Sequence, residues 1–115
     1  MRKWAYLKNP YKCNNKDTVY KIMIYTHRKE GTFVFLYCSK DAIRCSFDLY
    51  YHELSDALED WECDIDEEGW HEIDDPLPFC QHDALLPIRV KGRNTGNPVW
   101  NELEILENGE WIDYK

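Results

Sequence analysis

Between Thr18 and Ser39 the chain reads TVYKIMIYTH, RKEG, TFVFLYCS, two runs of β-branched and aromatic residues separated by a polar turn ending in glycine. Such runs form strands because branched and aromatic side chains pack well on a pleated surface. Residues 18–39 are therefore expected to form an antiparallel hairpin. In the second run Phe33, Phe35 and Tyr37 fall on one face and Val34, Leu36 and Cys38 on the other. A strand apolar on both faces belongs in the middle of a sheet, so this hairpin demands further strands beside it.

The rest of the chain is read around that demand. The segment ending in KNPYKCNNKD is a polar lead-in. AIRCSFDLYY alternates Ile43, Cys45, Phe47 and Leu49 against Arg44, Ser46, Asp48 and Tyr50, the period of a half-buried strand. Leu54, Leu58 and Trp61 recur at helical spacing with Ser55 available as N-cap, which predicts one short helix over about 55–63 with Trp61 on its inward stripe. GWHEI is a candidate short strand. DDPLPFCQHDALLP holds three prolines and should be an ordered loop, since proline lacks the amide donor and restricts its predecessor. IRVKG, VWNELEIL and WIDY read as strands, with RNTGNP and ENGE as turns. The expected architecture is α+β, an antiparallel sheet of five to seven strands with one main helix, in a single domain of residues 1–115.

Charge is distributed unevenly. Residues 1–47 carry ten Lys/Arg against three Asp/Glu, whereas residues 48–86 carry fourteen Asp/Glu and no Lys or Arg. The formal net charge of −8 hides this polarity. Fourteen carboxylates without an internal cation predict a negative surface region. The density peaks in WECDIDEEGWHEIDDP, residues 61–76, where eight of sixteen residues are acidic.

Several chemistries can be weighed on that segment. Asp64, Asp66, Glu68, Gly69 and Asp75 occupy the first, third, fifth, sixth and twelfth places of a calcium-loop template. The template is broken by the absence of glutamate at its last place and by Pro76 and Pro78, which forbid the exiting helix. Cys63, His71, Cys80 and His82 have zinc-ligand chemistry, but their intervals of seven, eight and one residues match no zinc knuckle or ribbon. A metal-binding domain or metal-dependent enzyme using segment 64–75 or these four residues is the alternative reading; the primary reading assigns no metal and no cofactor. No motif of a known reaction class occurs, so an enzyme is not expected. Arg89, Lys91 and Arg93 form a modest basic stripe, expected to pair with the acidic block inside the fold. A pI near 4.9 opposes nucleic-acid binding.

Five cysteines without a CxxC pair imply reduced thiols in a cytosol. No apolar run approaches twenty residues, and MRKWAYLKNP lacks the features of a secretory signal. The expected setting is cytoplasmic, without membrane attachment.

The motifs DDPLP, CQHD, PIRVKGR, NPVW and NGEW, spread from about Trp61 to Trp111, resemble those of a group of small uncharacterised bacterial proteins. The acidic, small character of the chain is similar to that of the immunity proteins of bacterial toxin systems. That resemblance implies a binding protein that covers a basic nuclease toxin with a negative surface. On this reading Asp64, Asp66, Glu67, Glu68, Glu72, Asp74 and Asp75 meet a basic protein partner, with Trp70 as the apolar contact.

Overall fold

The computed structural model describes residues 1–115, which fall into two compact units, Met1–Asp74 and Asp75–Lys115. The class is α+β. There are eight strands, all paired antiparallel, arranged as a five-stranded and a three-stranded sheet, with one α-helix. The expected five to seven strands of one sheet are thus eight strands in two.

In the first unit the hairpin expected over 18–39 is present as β2 (Thr18–His27) and β3 (Gly31–Tyr37). Both faces of this pair are buried. Ile22, Ile24, Val34 and Leu36 point to one side and Met23, Tyr25, Phe35 and Tyr37 to the other, all at 7% exposure or less. Each such side chain contributes about 1.5–3 kcal/mol by leaving water, which is why this pair sits inside the sheet. The order is β4-β3-β2-β1-β5, with β1 at Arg2–Lys12, β4 at Phe47–Tyr51 and β5 at His71–Ile73.

The strand β1 corrects the reading of the N-terminal segment as a polar lead-in. Its inward residues Ala5 and Leu7 are buried, while its cations reach past the sheet. Arg2 Nε donates to the carbonyl of Asp74 at 2.8 Å, and Lys3 Nζ lies 4.6 Å above the Trp70 ring. Long cationic side chains cover apolar surface with their stems, so a strand rich in them reads as loop although it is interior.

The third strand is also shorter than its alternation suggested. Residues 42–46 leave the strand period, and β4 begins at Phe47. The reason lies at Lys21, a buried cation on β2. Its Nζ donates to the carbonyls of Lys40 at 3.0 Å and Ala42 at 2.6 Å and lies over the rings of Trp4 and Tyr37. The backbone before β4 is curled to satisfy that ammonium, and it cannot at the same time run as a strand.

The helix α1 spans Leu54–Trp61 and packs Ala57 and Trp61 into the cluster formed by Leu7, Val19, Ile22, Ile24, Val34 and Leu36. Ser55 is not its cap. Glu53 holds that position with an extended backbone and no side-chain capping bond. Beyond Trp61 the helix tightens into a 3-10 turn, Glu62–Asp64, so the expected 55–63 helix changes type where the acidic residues crowd its negative end.

The second unit is built on β6 (Ile88–Val90), β7 (Leu103–Glu107) and β8 (Glu110–Tyr114), ordered β6-β7-β8. Ile88, Val90 and Ile105 are buried on one face. On the other, Arg89 pairs with Glu104 at 2.7 Å and lies 3.8 Å over the Trp111 ring, and Lys91 pairs with Asp113 at 3.1 Å. Arg89 and Lys91 of the basic stripe are therefore paired within their own sheet, by Glu104 and Asp113, where pairing with the acidic block was expected, and Arg93 is exposed on the 3-10 turn Arg93–Thr95. No helix is long and apolar enough to cross a membrane.

Candidate functional site: the acidic turn after the helix

The acidic segment takes its position from the end of α1. Trp61 is buried, and its indole Nε1 donates to the Tyr51 hydroxyl at 3.0 Å. That hydroxyl in turn donates to Asp60 at 2.8 Å. Burial and the neighbouring Asp60 carboxylate raise the Tyr51 pKa above its ordinary value of 10.0. The relay fastens the last turn of the helix to β4, because each polar atom at the half-buried end of the tryptophan has a partner.

From there the chain is fixed to β1. Ile65 bridges Leu7, and Asp66 N–H donates to the Tyr6 carbonyl at 3.1 Å. Asp66 then closes a turn on both sides. Its carboxylate accepts from the Glu68 amide at 3.1 Å, and its carbonyl accepts from the Gly69 amide at 3.0 Å. Gly69 has φ +75, a left-handed conformation for which a side chain would be unfavourable. The turn delivers β5 to the open side of β1, where Trp4 faces His71, Lys3 faces Glu72 and Arg2 faces Ile73.

Within this frame the residues singled out from the sequence separate into two kinds. Asp64, Glu67, Glu68, Glu72 and Asp74 are exposed on the first unit, together with Glu62. Asp66 is half-buried and serves the turn. Asp75 is exposed and opens the second unit. Trp70 is the departure. It is half-buried and packs against the core cluster; one ring face lies under the Lys3 ammonium, and its Nε1 donates to Glu62 at 2.9 Å. Its apolar surface is largely engaged within the fold, so as an anchor for a partner it offers an edge and not a face.

His71 stacks on Trp4 with ring centroids 4.3 Å apart. Its Nε2 comes within 3.4 Å of Glu68 Oε1, an ion-pair distance, but outside hydrogen-bonding geometry. Of the zinc-ligand candidates, Cys63 is exposed on the 3-10 turn, Cys80 is buried and bridged to Arg89, and His82 is exposed. All five cysteines are free thiols, and no group of three or more His, Cys, Asp or Glu side chains is gathered closely enough to hold a metal ion.

Three residues essential to this geometry escaped the sequence reading. Lys3 and Arg2 reach the acidic segment from β1, and Tyr51 clamps Trp61 from β4. The signal for the first was present, since Arg2, Trp4 and Tyr6 alternate with Lys3, Ala5 and Leu7. The arrangement can present negative charge and hold it in place through a backbone fastened at Tyr6, Leu7 and Asp74. No family model, no curated protein and no solved structure matches the chain.

Proposed function

We propose that this protein binds and neutralises a basic protein partner, in the manner of an immunity protein covering a toxin nuclease, through Asp64, Asp66, Glu67, Glu68, Glu72, Asp74 and Asp75. The observation that carries the reading is the exposure of Asp64, Glu67, Glu68, Glu72 and Asp74 on a turn whose backbone is held to β1. Asp64, Glu67 and Glu72 are engaged in no ion pair, so their charge faces solvent. Carboxylates on a rigid turn steer a cationic surface and cost little ordering when it docks. Trp70 contributes at its exposed edge. The protein acts by occlusion, without chemistry of its own, and in the cytoplasm.

Association kinetics against a panel of purified cationic nuclease domains test this reading. One arm uses the native protein and the other a variant carrying Glu67→Lys, Glu68→Lys and Glu72→Lys. For a nuclease that the native protein binds and inhibits, the variant should associate at least about tenfold more slowly and with a flatter dependence on salt, because steering by exposed charge is screened over a Debye length. Equal rates and equal salt dependence for the two proteins would overturn it.

A further inference from the structure

The sheet of the first unit has a second exposed feature, on the edge opposite the acidic turn. Strand β4 pairs with β3 on one side and with nothing on the other. Of the four edge strands, β5 and β6 are three residues long, and β8 carries Glu110 and Asp113 within its five residues. Strand β4 also has five residues but a single charge, Asp48, and neither lysine, arginine nor proline. Its register against β3 runs without interruption from Leu36–Phe47 to Thr32–Tyr51. Phe47, Leu49 and Tyr50 are 37%, 39% and 57% exposed. Natural sheets guard long flat edges with charge, proline, bulges or cover. Strand β4 has one charge and none of the other devices.

The charge around this edge defines what suits it. After Arg44 the chain carries no Lys or Arg until Arg89; in that stretch Asp48 lies on the strand itself and Glu53 follows at the start of α1. Asp60 is bonded to Tyr51 at the far end of the strand. The two faces of the edge differ. Phe47, Leu49 and Tyr51 continue the rows of Leu36, Val34 and Thr32 on the helix side, whereas Asp48 and Tyr50 continue those of Phe35 and Phe33 on the other. A strand laid beside β4 would meet apolar groups on one face and a carboxylate with an aromatic ring on the other.

We infer that the β4 edge accepts an extended, basic segment of a partner protein, by strand addition to the five-stranded sheet. Backbone amides and carbonyls of the segment bond to the outward groups of β4, as in other strand-addition interfaces. Alternate residues divide by chemistry: apolar side chains pack beside Phe47 and Leu49, and lysine or arginine lies against Asp48 and the Tyr50 ring. This edge is four strand spacings, roughly 19 Å, from β5, so it is a surface separate from the acidic turn and does not depend on the reading given for that turn.

The probe is a capped synthetic peptide of about eight residues alternating Lys and Val, a typical strand length. Binding is followed in about 20 mM salt, where screening is weak, by amide chemical shifts and hydrogen exchange of the whole protein. The expected result is saturable binding, with shifts and slowed exchange centred on Phe47–Tyr51. A Glu/Val peptide of the same length should not bind. A Lys/Val peptide N-methylated on alternate residues keeps its charge but loses its donors, and should bind at least about tenfold more weakly, a difference of 1.4 kcal/mol. D48K, a surface change on an edge strand that leaves the core untouched, should weaken the parent peptide to a similar degree. Absence of binding, equal binding of the methylated peptide, or shifts confined to residues 62–75 would each overturn the inference. So would concentration-dependent self-association through β4 without peptide, which would make a second copy the occupant.

Discussion

Replacing Tyr51 by phenylalanine removes one oxygen from the point where helix, strand and acidic turn are joined. That oxygen accepts from Trp61 Nε1 and donates to Asp60. Phenylalanine preserves the ring, so packing is retained and the loss is polar. The Trp61 indole N–H, on a side chain only 7% exposed, is left without a partner, and an unmet buried donor costs about 1–3 kcal/mol. Asp60 is exposed and recovers water, so its share is small. Tyr51 is itself only half-buried, and solvent screening keeps the total in the lower part of the range, about 1–2 kcal/mol at neutral pH. Urea unfolding followed by tryptophan fluorescence measures this as a lower midpoint with an unchanged slope. A pH series adds a second signature. The folded state holds Tyr51 protonated above pH 10.0, where the unfolded chain releases the proton. The stability contributed by Tyr51 is therefore complete below that pH and is lost as pH rises through the folded value. Native and variant curves should converge as pH passes 10 and beyond. A difference below about 0.5 kcal/mol at pH 7, or one that stays constant into the alkaline range, would refute the relay as described.

Two further perturbations test other parts of the fold. Lys21 is a cation whose pKa is lowered by burial, opposed by Asp41. The folded state releases this proton before the unfolded chain does, so native stability should rise with pH between the folded value and 10.5, whereas Lys21→Met should lack that rise. Parallel stability curves for the two proteins from pH 8 to pH 10.5 would show the ammonium to be solvated. Gly92 and Gly96 flank the turn before β7 with φ +78 and +81, so alanine at either meets the left-handed penalty of about 1–2 kcal/mol. A Cβ on Gly96 enters open space, while one on Gly92 would clash with the Asn97 carbonyl oxygen. Gly92→Ala should thus cost at least about 2 kcal/mol more than Gly96→Ala, read as the difference between their thermal unfolding midpoints; similar midpoints would contradict the closed turn.

The parts of the fold that were legible in the sequence are those that residue type marks by itself: the branched and aromatic runs of the β2–β3 pair, the helical spacing of Leu54, Leu58 and Trp61, the prolines of the loop and the alternation of the last hairpin. Strand β1 reads as a polar lead-in because each of its faces opens with a cation, Arg2 on one and Lys3 on the other, which masks the alternation of Trp4 and Tyr6 with Ala5 and Leu7. The early end of the strand period before β4 was illegible for a different reason. It depends on Lys21, some twenty residues away, whose ammonium draws in the carbonyls of Lys40 and Ala42.

The candidate site divides in the same way. Its carboxylates, its lack of lysine and arginine and the glycine at its turn are properties of residues 61–76 alone, and they determine that this segment is highly charged, unable to form the second helix of a calcium loop, and poor in zinc-ligand spacing. Which of those carboxylates face solvent is not a local property. It was decided when β1 took Asp66 and Ile65 onto its backbone, Lys3 covered Trp70, and Glu62 accepted the indole proton. The sequence by itself determined the charge and the class of fold, because these follow from residue type and short-range period. Only the tertiary structure decided that the tryptophan is largely engaged while most of the carboxylates are exposed, because that outcome rests on contacts between residues sixty positions apart, whose loop entropy and geometry no local pattern encodes.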